Sequence, residues 1–434
     1  MKQVSTPTSP CTSLSGQFHG KSAGDVATFD HIVYASASDL FAESALRTQP
    51  SQHIGNPEQS PLLLRVTTPA DTTQGEDMPV VALIHGGGFE NGSRNEHWFG
   101  GDGLAKQRVI MVSIDYRLQF PGFVRFHDEQ PDFYRGISDC QVALDWIQRN
   151  IEDFGGDPTN VTLIGQSAGA TIALWLARRD HFKGTFRRVM ALSPAFARTD
   201  FYQRKGLARF ALGRGITRSS LKNLSPQKLA RGYRKYRKFI QTDLALGPVG
   251  LDGQELADIP IIISCTREEW YASTTTARID HWLPRSLRPL LANHFNANAR
   301  YLDATTNTTR FFAQLIGDSA IRRWVDRIAS STPGNTWVMH YIGSEAVPAV
   351  HCSDIPWVLN SEAQTDHHAR EYIAERADAT VQQVRGITDA FLQGNLPTWR
   401  PYRSSREVLE LNITTGQSQI VHDPFAHLRE GFYS

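Results

Sequence analysis

Val161-Thr162-Leu163-Ile164-Gly165-Gln166-Ser167-Ala168-Gly169-Ala170 is an apolar, β-branched run that ends in Gly-x-Ser-x-Gly and continues into good helix formers. That order of residues predicts a strand, a sharp turn and a helix, the setting of a nucleophile elbow. A serine on such a turn sits strained with its hydroxyl exposed. Glycines flank it because a Cβ at either place would strike the neighbouring strand or helix. Alone, the pentapeptide is equally consistent with a glycine-rich loop, so the rest of the chain must supply the context.

Upstream, Met78 to Ile84 is a continuous apolar run, as expected of a strand buried on both faces. It ends in His85-Gly86-Gly87-Gly88-Phe89. Arg108 to Asp115 reads as a second buried strand. Gly136 to Phe154 reads as a helix, with Ile137, Cys140, Leu144, Ile147 and Ile151 on one face, stopped by Gly155-Gly156-Asp157-Pro158. Downstream, Arg187 to Ser193, Ile259 to Thr266 and Thr336 to Ile342 are further strands, and Glu407 to Thr415 is a late one near the sheet edge. Asp25 to Ala37 and Pro61 to Thr68 read as an N-terminal antiparallel pair. Alternation of this kind predicts an α/β fold with a mostly parallel sheet covered by helices on both faces.

Residues 1–20 are rich in Ser, Thr and Pro and read as a flexible tail; residues 21–434 read as one domain. Two segments interrupt the alternation, at about 197–250 and 271–334, and read as helical cap insertions over one end of the sheet. The first carries thirteen Lys or Arg between Arg198 and Lys238 against one acid, Asp200. Such a run ordinarily forms a solvated face.

The chain has 434 residues, a formal net charge of +1 and 40% hydrophobic residues, as in an ordinary soluble protein with a large core. That balance gives no reason to expect nucleic acid as a partner, and no apolar run is long enough to insert in a membrane. Cys11, Cys140, Cys265 and Cys352 are far apart and fit no metal spacing. No metal or cofactor is expected. The start of the chain lacks the apolar core of a secretory signal, and a cytoplasmic setting is the default. A monomer or small homo-oligomer acting on a small molecule fits these bounds.

A serine hydroxyl is a poor nucleophile at neutral pH. It needs a base, an acid to hold the base, and donors for the oxyanion formed on the attacked carbonyl. On α/β hydrolases the chain order is Ser, acid, His. The strand at Ile259 ends in Thr266-Arg267-Glu268-Glu269-Trp270, and the strand at Thr336 is followed by Val350-His351-Cys352-Ser353-Asp354. The glycines at 86–88 free backbone N–H groups to point into a cavity.

With these pieces in place the chain resembles the type-B carboxylesterases, the family of para-nitrobenzyl esterases, liver carboxylesterases and cholinesterases. The resemblance also rests on Phe29 to Ala35, Asn91-Gly92-Ser93, Asp115 to Leu118, Ala143 to Ile147, Phe154 to Pro158, Asp389-Ala390-Phe391 and Trp399 to Tyr402. It implies an α/β-hydrolase fold and hydrolysis of carboxylic esters through an acyl-enzyme. It implies Ser167 as nucleophile, His351 as general base and Glu269 as triad acid, with Glu268 the alternative. It implies an oxyanion hole at the N–H groups of Gly87, Gly88 and Ala168, and a supporting serine at Ser193. Amide, carbamate or lactone hydrolysis would use the same triad. A non-catalytic adhesion relative would have lost residues that are present here.

The chain also departs from the family pattern. Gln59-Ser60-Pro61-Leu62 stands where the family has Glu-Asp-Cys-Leu, so the usual acidic partner of Arg117 and one disulfide cysteine are missing. Gln166 stands where a glutamate usually precedes the nucleophile. Loss of that charge argues against cationic choline esters and for small to medium uncharged esters. His85 reads as structural, Asp318 and Asp354 as hydrogen-bonded structural acids, with Asp354 a candidate helix cap just after His351. His127, His181, His281, His294, His367 and His368 read as surface residues.

Overall fold

A computed structural model describes residues 6–8, 11–48, 62–361 and 377–432. Its centre is a twelve-stranded sheet. In chain order the strands are β1 (Thr6–Pro7), β2 (Lys21–Ala23), β3 (Val26–Val33), β4 (Leu63–Pro69), β5 (Met78–Ile84), β6 (Ile110–Ile114), β7 (Gly156–Gln166), β8 (Arg188–Leu192), β9 (Ile261–Thr266), β10 (Thr336–Ile342), β11 (Glu407–Asn412) and β12 (Ser418–His422). In space the order is β1-β2-β3-β4-β6-β5-β7-β8-β9-β10-β11-β12. From β6 through β11 every pairing is parallel, while both flanks are antiparallel.

The central strands are mostly apolar because both faces are covered. Val80, Ala82 and Ile84 of β5 enter one core cluster, and Val81 and Leu83 enter the other on the opposite face. That division is the two-residue period of a pleated strand. Helix α1 (Arg135–Asn150) buries Ile137, Cys140, Leu144 and Ile147 as the spacing predicts. It ends earlier than predicted: Ile151–Phe154 tightens into a 3-10 turn, closed by Gly155 at φ 83. Helix α2 (Ala168–Leu176) follows β7 and is buried along its whole length.

The first insertion holds α3 (Phe201–Leu212) and α4 (Pro226–Arg237). Asp200 caps α3 and Ser225 caps α4, each side chain accepting a backbone N–H of the first turn. The second holds several short helices, including α5 (Phe311–Gly317) and α6 (Arg323–Ser331), joined by a π-turn at Asp318–Arg322.

Three expectations are corrected. The described part of residues 1–20 is not a free tail. Cys11–Ser13 pairs with Gly16–Phe18. The Phe18 ring meets Trp146 and Phe154, Cys11 Sγ donates to the Asp153 carbonyl, and Ser13 Oγ donates to Asn150. Apolar Phe18 anchors a segment whose polar composition suggested none. Arg117 does not lack an acid either. Its Nε and Nη2 donate to the two Asp139 oxygens at 2.8 and 2.7 Å, and Nη1 donates to the Leu40 and Ala42 carbonyls. The partner comes from α1 rather than from residues 59–60, which lie outside the described residues, as do His367 and His368. The basic stretch is also not merely a solvated face. Asp243 binds Arg198 and Arg204, Glu129 binds Arg218, and Glu90 binds Arg237.

Candidate active site

Ser167, Glu269 and His351 all lie just beyond the C-terminal ends of parallel strands, β7, β9 and β10, where open α/β sheets place their sites. Parallel pairing of β7 with β8, β8 with β9 and β9 with β10 brings these strand ends together from distant parts of the chain.

Ser167 has φ 55 and ψ −119, a strained conformation for a residue with a Cβ. Its N–H donates to the Leu192 carbonyl at 2.8 Å, and the Thr171 N–H closes the first helical turn on the Ser167 carbonyl. The turn is tight enough that a Cβ on Gly165 would come within 2.2 Å of the Gly169 carbonyl oxygen. One on Gly169 would lie 2.1 Å from the Ile84 carbonyl oxygen. The elbow is therefore wedged against the end of β5 and the glycine loop.

That loop turns sharply after His85. Gly87 has φ 98, and a Cβ there would meet the Asn91 carbonyl oxygen at 2.2 Å. The Glu90 and Asn91 N–H groups close the turn on the Gly87 carbonyl. His85 is structural, as read: its Nδ1 is 2.8 Å from the Gly86 carbonyl, its ring stacks on Tyr116, and burial lowers its affinity for a proton.

Glu269 is fully buried and its carboxylate is saturated. Oε2 lies 2.6 Å from His351 Nδ1; Oε1 accepts from Ser193 Oγ and from the Thr266 N–H, both at 2.8 Å. An ionised carboxylate only accepts, so Nδ1 of His351 carries the proton and Nε2 is the basic nitrogen. Burial alone would raise Glu269, but the His351 charge and the hydrogen bonds hold it below the usual carboxylate range. Burial alone would lower His351; the Cys352 sulfur and then the Glu269 carboxylate, both hydrogen-bonded to it, hold it well above the ordinary imidazole value. Trp270 lies beside the His351 ring, centroids 5.7 Å apart.

Glu268 points elsewhere. It pairs with Arg267 and accepts the Ala349 N–H at 2.8 Å. Gln166 is buried, with Nε2 3.2 Å from His351 Nε2 and 3.0 Å from Cys352 Sγ, and its Oε1 lies under Gly86. Cys352 itself adopts φ 73. Asp354 does not cap the helix after His351 with its side chain: Oδ2 accepts from Ser264 Oγ at 3.1 Å. Burial and the nearby Glu269 charge push its carboxyl up to about 6. Asp318 is held by Arg322, Tyr301 and Gln314, in keeping with a structural acid.

Three contacts had no signal in the sequence: the Thr266 N–H on Glu269, the Trp270 ring beside His351, and Cys352 under Gln166. Only adjacency to Glu269 and His351 marked them. Among the described residues no group of three or more His, Cys, Asp or Glu could hold a metal, and no helix is long and apolar enough to cross a membrane.

Several known hydrolases are similar to this chain in sequence and in fold. Phenmedipham hydrolase of Pseudarthrobacter oxydans is 28% identical over 86% of this chain and 85% of its own length. Para-nitrobenzyl esterase of Bacillus subtilis is 25% identical over 92% and 90%. Juvenile hormone esterase of Heliothis virescens is 37% identical, but this chain spans only 23% of its length. Among solved structures, the carboxylesterase of Geobacillus stearothermophilus superposes with a TM-score of 0.77 at 21% identity, covering 98% of this chain and 100% of that one. Juvenile hormone esterase of Manduca sexta gives 0.74 at 20% identity, covering 98% of each. These likenesses show an α/β-hydrolase fold. The model of the carboxylesterase family matches residues 28–280, more than half of the sequence, and the chain therefore belongs to the carboxylesterase family of carboxylic ester hydrolases.

Proposed function

We propose that the protein hydrolyses small to medium carboxylic esters through an acyl-enzyme on Ser167. His351 Nε2 takes the Ser167 proton as the hydroxyl attacks the ester carbonyl. The N–H groups of Gly87, Gly88 and Ala168 receive the oxyanion; losing one such donor typically costs about 10²–10³ in rate. His351 then gives its proton to the leaving alkoxide, and water repeats the sequence to free the acid. Glu269 keeps Nδ1 protonated and the ring oriented throughout.

The observation that carries this reading is the 2.6 Å contact between His351 Nδ1 and a fully buried Glu269, with His351 Nε2 3.2 Å from Gln166, the residue before Ser167 on the strained elbow. Ser193 and the Thr266 N–H support it by fixing the other carboxylate oxygen. Gln166 supports the expectation that cationic esters are poor substrates, since a neutral amide stands at the imidazole. Four unpaired cysteines fit a reducing, cytoplasmic setting. Ser167→Ala is expected to abolish hydrolysis of a short p-nitrophenyl ester while the melting curve stays that of a folded protein. Full activity in that variant would refute the assignment.

A further inference from the structure

The basic insertion has one feature that ester hydrolysis by itself does not use. A cleft of about 720 Å³ lies where α4 faces the glycine loop and the residue after the triad acid. Asn91, one turn past Gly87, and Trp270, beside His351, line it. Glu90, Arg234, Arg237 and Lys238 line it as well.

These charges do not cancel. Arg237 Nε is 2.7 Å from Glu90 Oε1, so that pair is balanced. Arg234 and Lys238 are exposed, line the same cleft, and have no carboxylate partner among the described residues. Cations at a helix C-terminus complement its dipole, which accounts for their being at the end of α4. It does not account for which way α4 is turned. The orientation is fixed by Tyr233 and Tyr236, whose rings pack on Phe120 at 5.2 and 5.3 Å, and by Tyr236 Oη donating to the Ala245 carbonyl. Gln119, next to Phe120, donates its N–H to the Phe89 carbonyl and so ties this packing to the glycine loop. The two cations are thus held by packed rings in a cleft that Trp270, the neighbour of His351, also lines.

We infer that this cleft receives the part of the substrate remote from the scissile carbonyl, and that the enzyme favours esters bearing a negative charge there, such as a terminal carboxylate. The inference rests on the acyl-enzyme reading above and narrows its substrate class. It replaces the expectation of uncharged substrates, which considered only the loss of a glutamate at Gln166. The cleft is net positive, and such a field raises the local concentration of an anionic substrate by about 10-fold or more at low ionic strength.

The test compares two p-nitrophenyl esters that differ only in the chain end: the hexanoate, which ends in a methyl group, and the mono-adipate, which ends in a carboxylate. The expected result is that kcat/KM for the adipate ester exceeds that for the hexanoate by about 10-fold at low salt, and that sodium chloride erodes this advantage. In Arg234→Glu/Lys238→Glu the adipate-to-hexanoate ratio is expected to fall below one; Arg234→Gln/Lys238→Gln, a milder change on an exposed face, should lower it towards one. A wild-type ratio at or below one overturns the inference. So does a ratio unchanged in either double variant with a wild-type melting curve. If wild type cleaves both esters in a Ser167-dependent way without preferring the adipate, only this inference fails. If Ser167→Ala still cleaves both, the acyl-enzyme reading itself fails.

Discussion

Two adjacent glutamates, Glu268 and Glu269, have opposite surroundings. Glu269 meets His351, Ser193 and the Thr266 N–H, whereas Glu268 braces the Ala349 N–H two residues before the histidine. Glu269→Gln is therefore expected to lower kcat by about 10³-fold or more, because a neutral amide no longer fixes the imidazole tautomer. Glu268→Gln should cost far less, since only a loop brace is weakened; steady-state kinetics on a short ester separates the two. Asp354 supplies a pH prediction. Its folded carboxyl is raised from 3.8 to about 6 by burial and by Glu269. The folded protein thus holds a proton that the unfolded chain has released, so this group favours folding progressively as pH falls from about 6 towards 4. Above about pH 6 the buried charge opposes folding. Asp354→Asn keeps an acceptor for Ser264 and is expected to gain up to about 3 kcal/mol at pH 8, the gain vanishing by about pH 4. Urea titrations at the two pH values check this.

At the scale of elements, the elbow is a strand and helix pressed so close that their junction tolerates no side chain. A Cβ at Gly169 would meet two carbonyl oxygens, those of Ile84 and His85, which belong to the strand end and the loop beside it. Backbone cannot swing aside as a flexible side chain can. Gly169→Ala is expected to destabilise by about 3 kcal/mol and to lower kcat/KM by displacing the glycine loop. Gly206 in α3 is the contrasting case: it is exposed and nothing lies within 4 Å of its Cβ position. Gly206→Ala should stabilise by about 0.5–1 kcal/mol, visible as a small rise in melting temperature.

At the scale of the molecule, distant parts of the chain are tied by a few buried polar clusters. Arg117, at the end of a strand-to-loop turn, joins Asp139 of α1 to the Leu40 and Ala42 carbonyls, and Ser44 Oγ adds a bond to Asp139 at 2.7 Å. Asp139 is wholly buried and Arg117 nearly so. Removing one partner leaves the other charge uncompensated, so Asp139→Ala is expected to cost about 3–5 kcal/mol. Chemical denaturation measures that loss, and activity of the remaining folded fraction should persist because the cluster is apart from Ser167, Glu269 and His351.

The order of strands and helices was legible in the sequence, because strands buried on both faces must be continuous apolar runs and a helix face repeats every three to four residues. Ser167 and the glycine loop were legible for a related reason: backbone geometry at a tight turn restricts residue type, and glycine leaves a visible mark. His351 was read from its place after a late strand, in the chain order of α/β hydrolases, and from the resemblance. Which acid serves His351 depended on the resemblance, since the spacing of Glu268 and Glu269 from Ser167 differs by a single residue; the structure separates them by the direction in which the chain leaves β9. The partner of Arg117 was misread because an ion pair needs only proximity, and Asp139 reaches it from a helix with no local motif. Chain tracts of ordinary polar composition, such as residues 11–18 and the basic insertion, carry no periodic signal. Whether they float or dock is settled by a single ring such as Phe18 or Tyr236 finding a pocket, and only the tertiary structure decides that. The same is true of the cleft: thirteen basic residues were countable in the sequence, but which of them line the cleft beside Trp270 without a carboxylate partner was decided by packing alone.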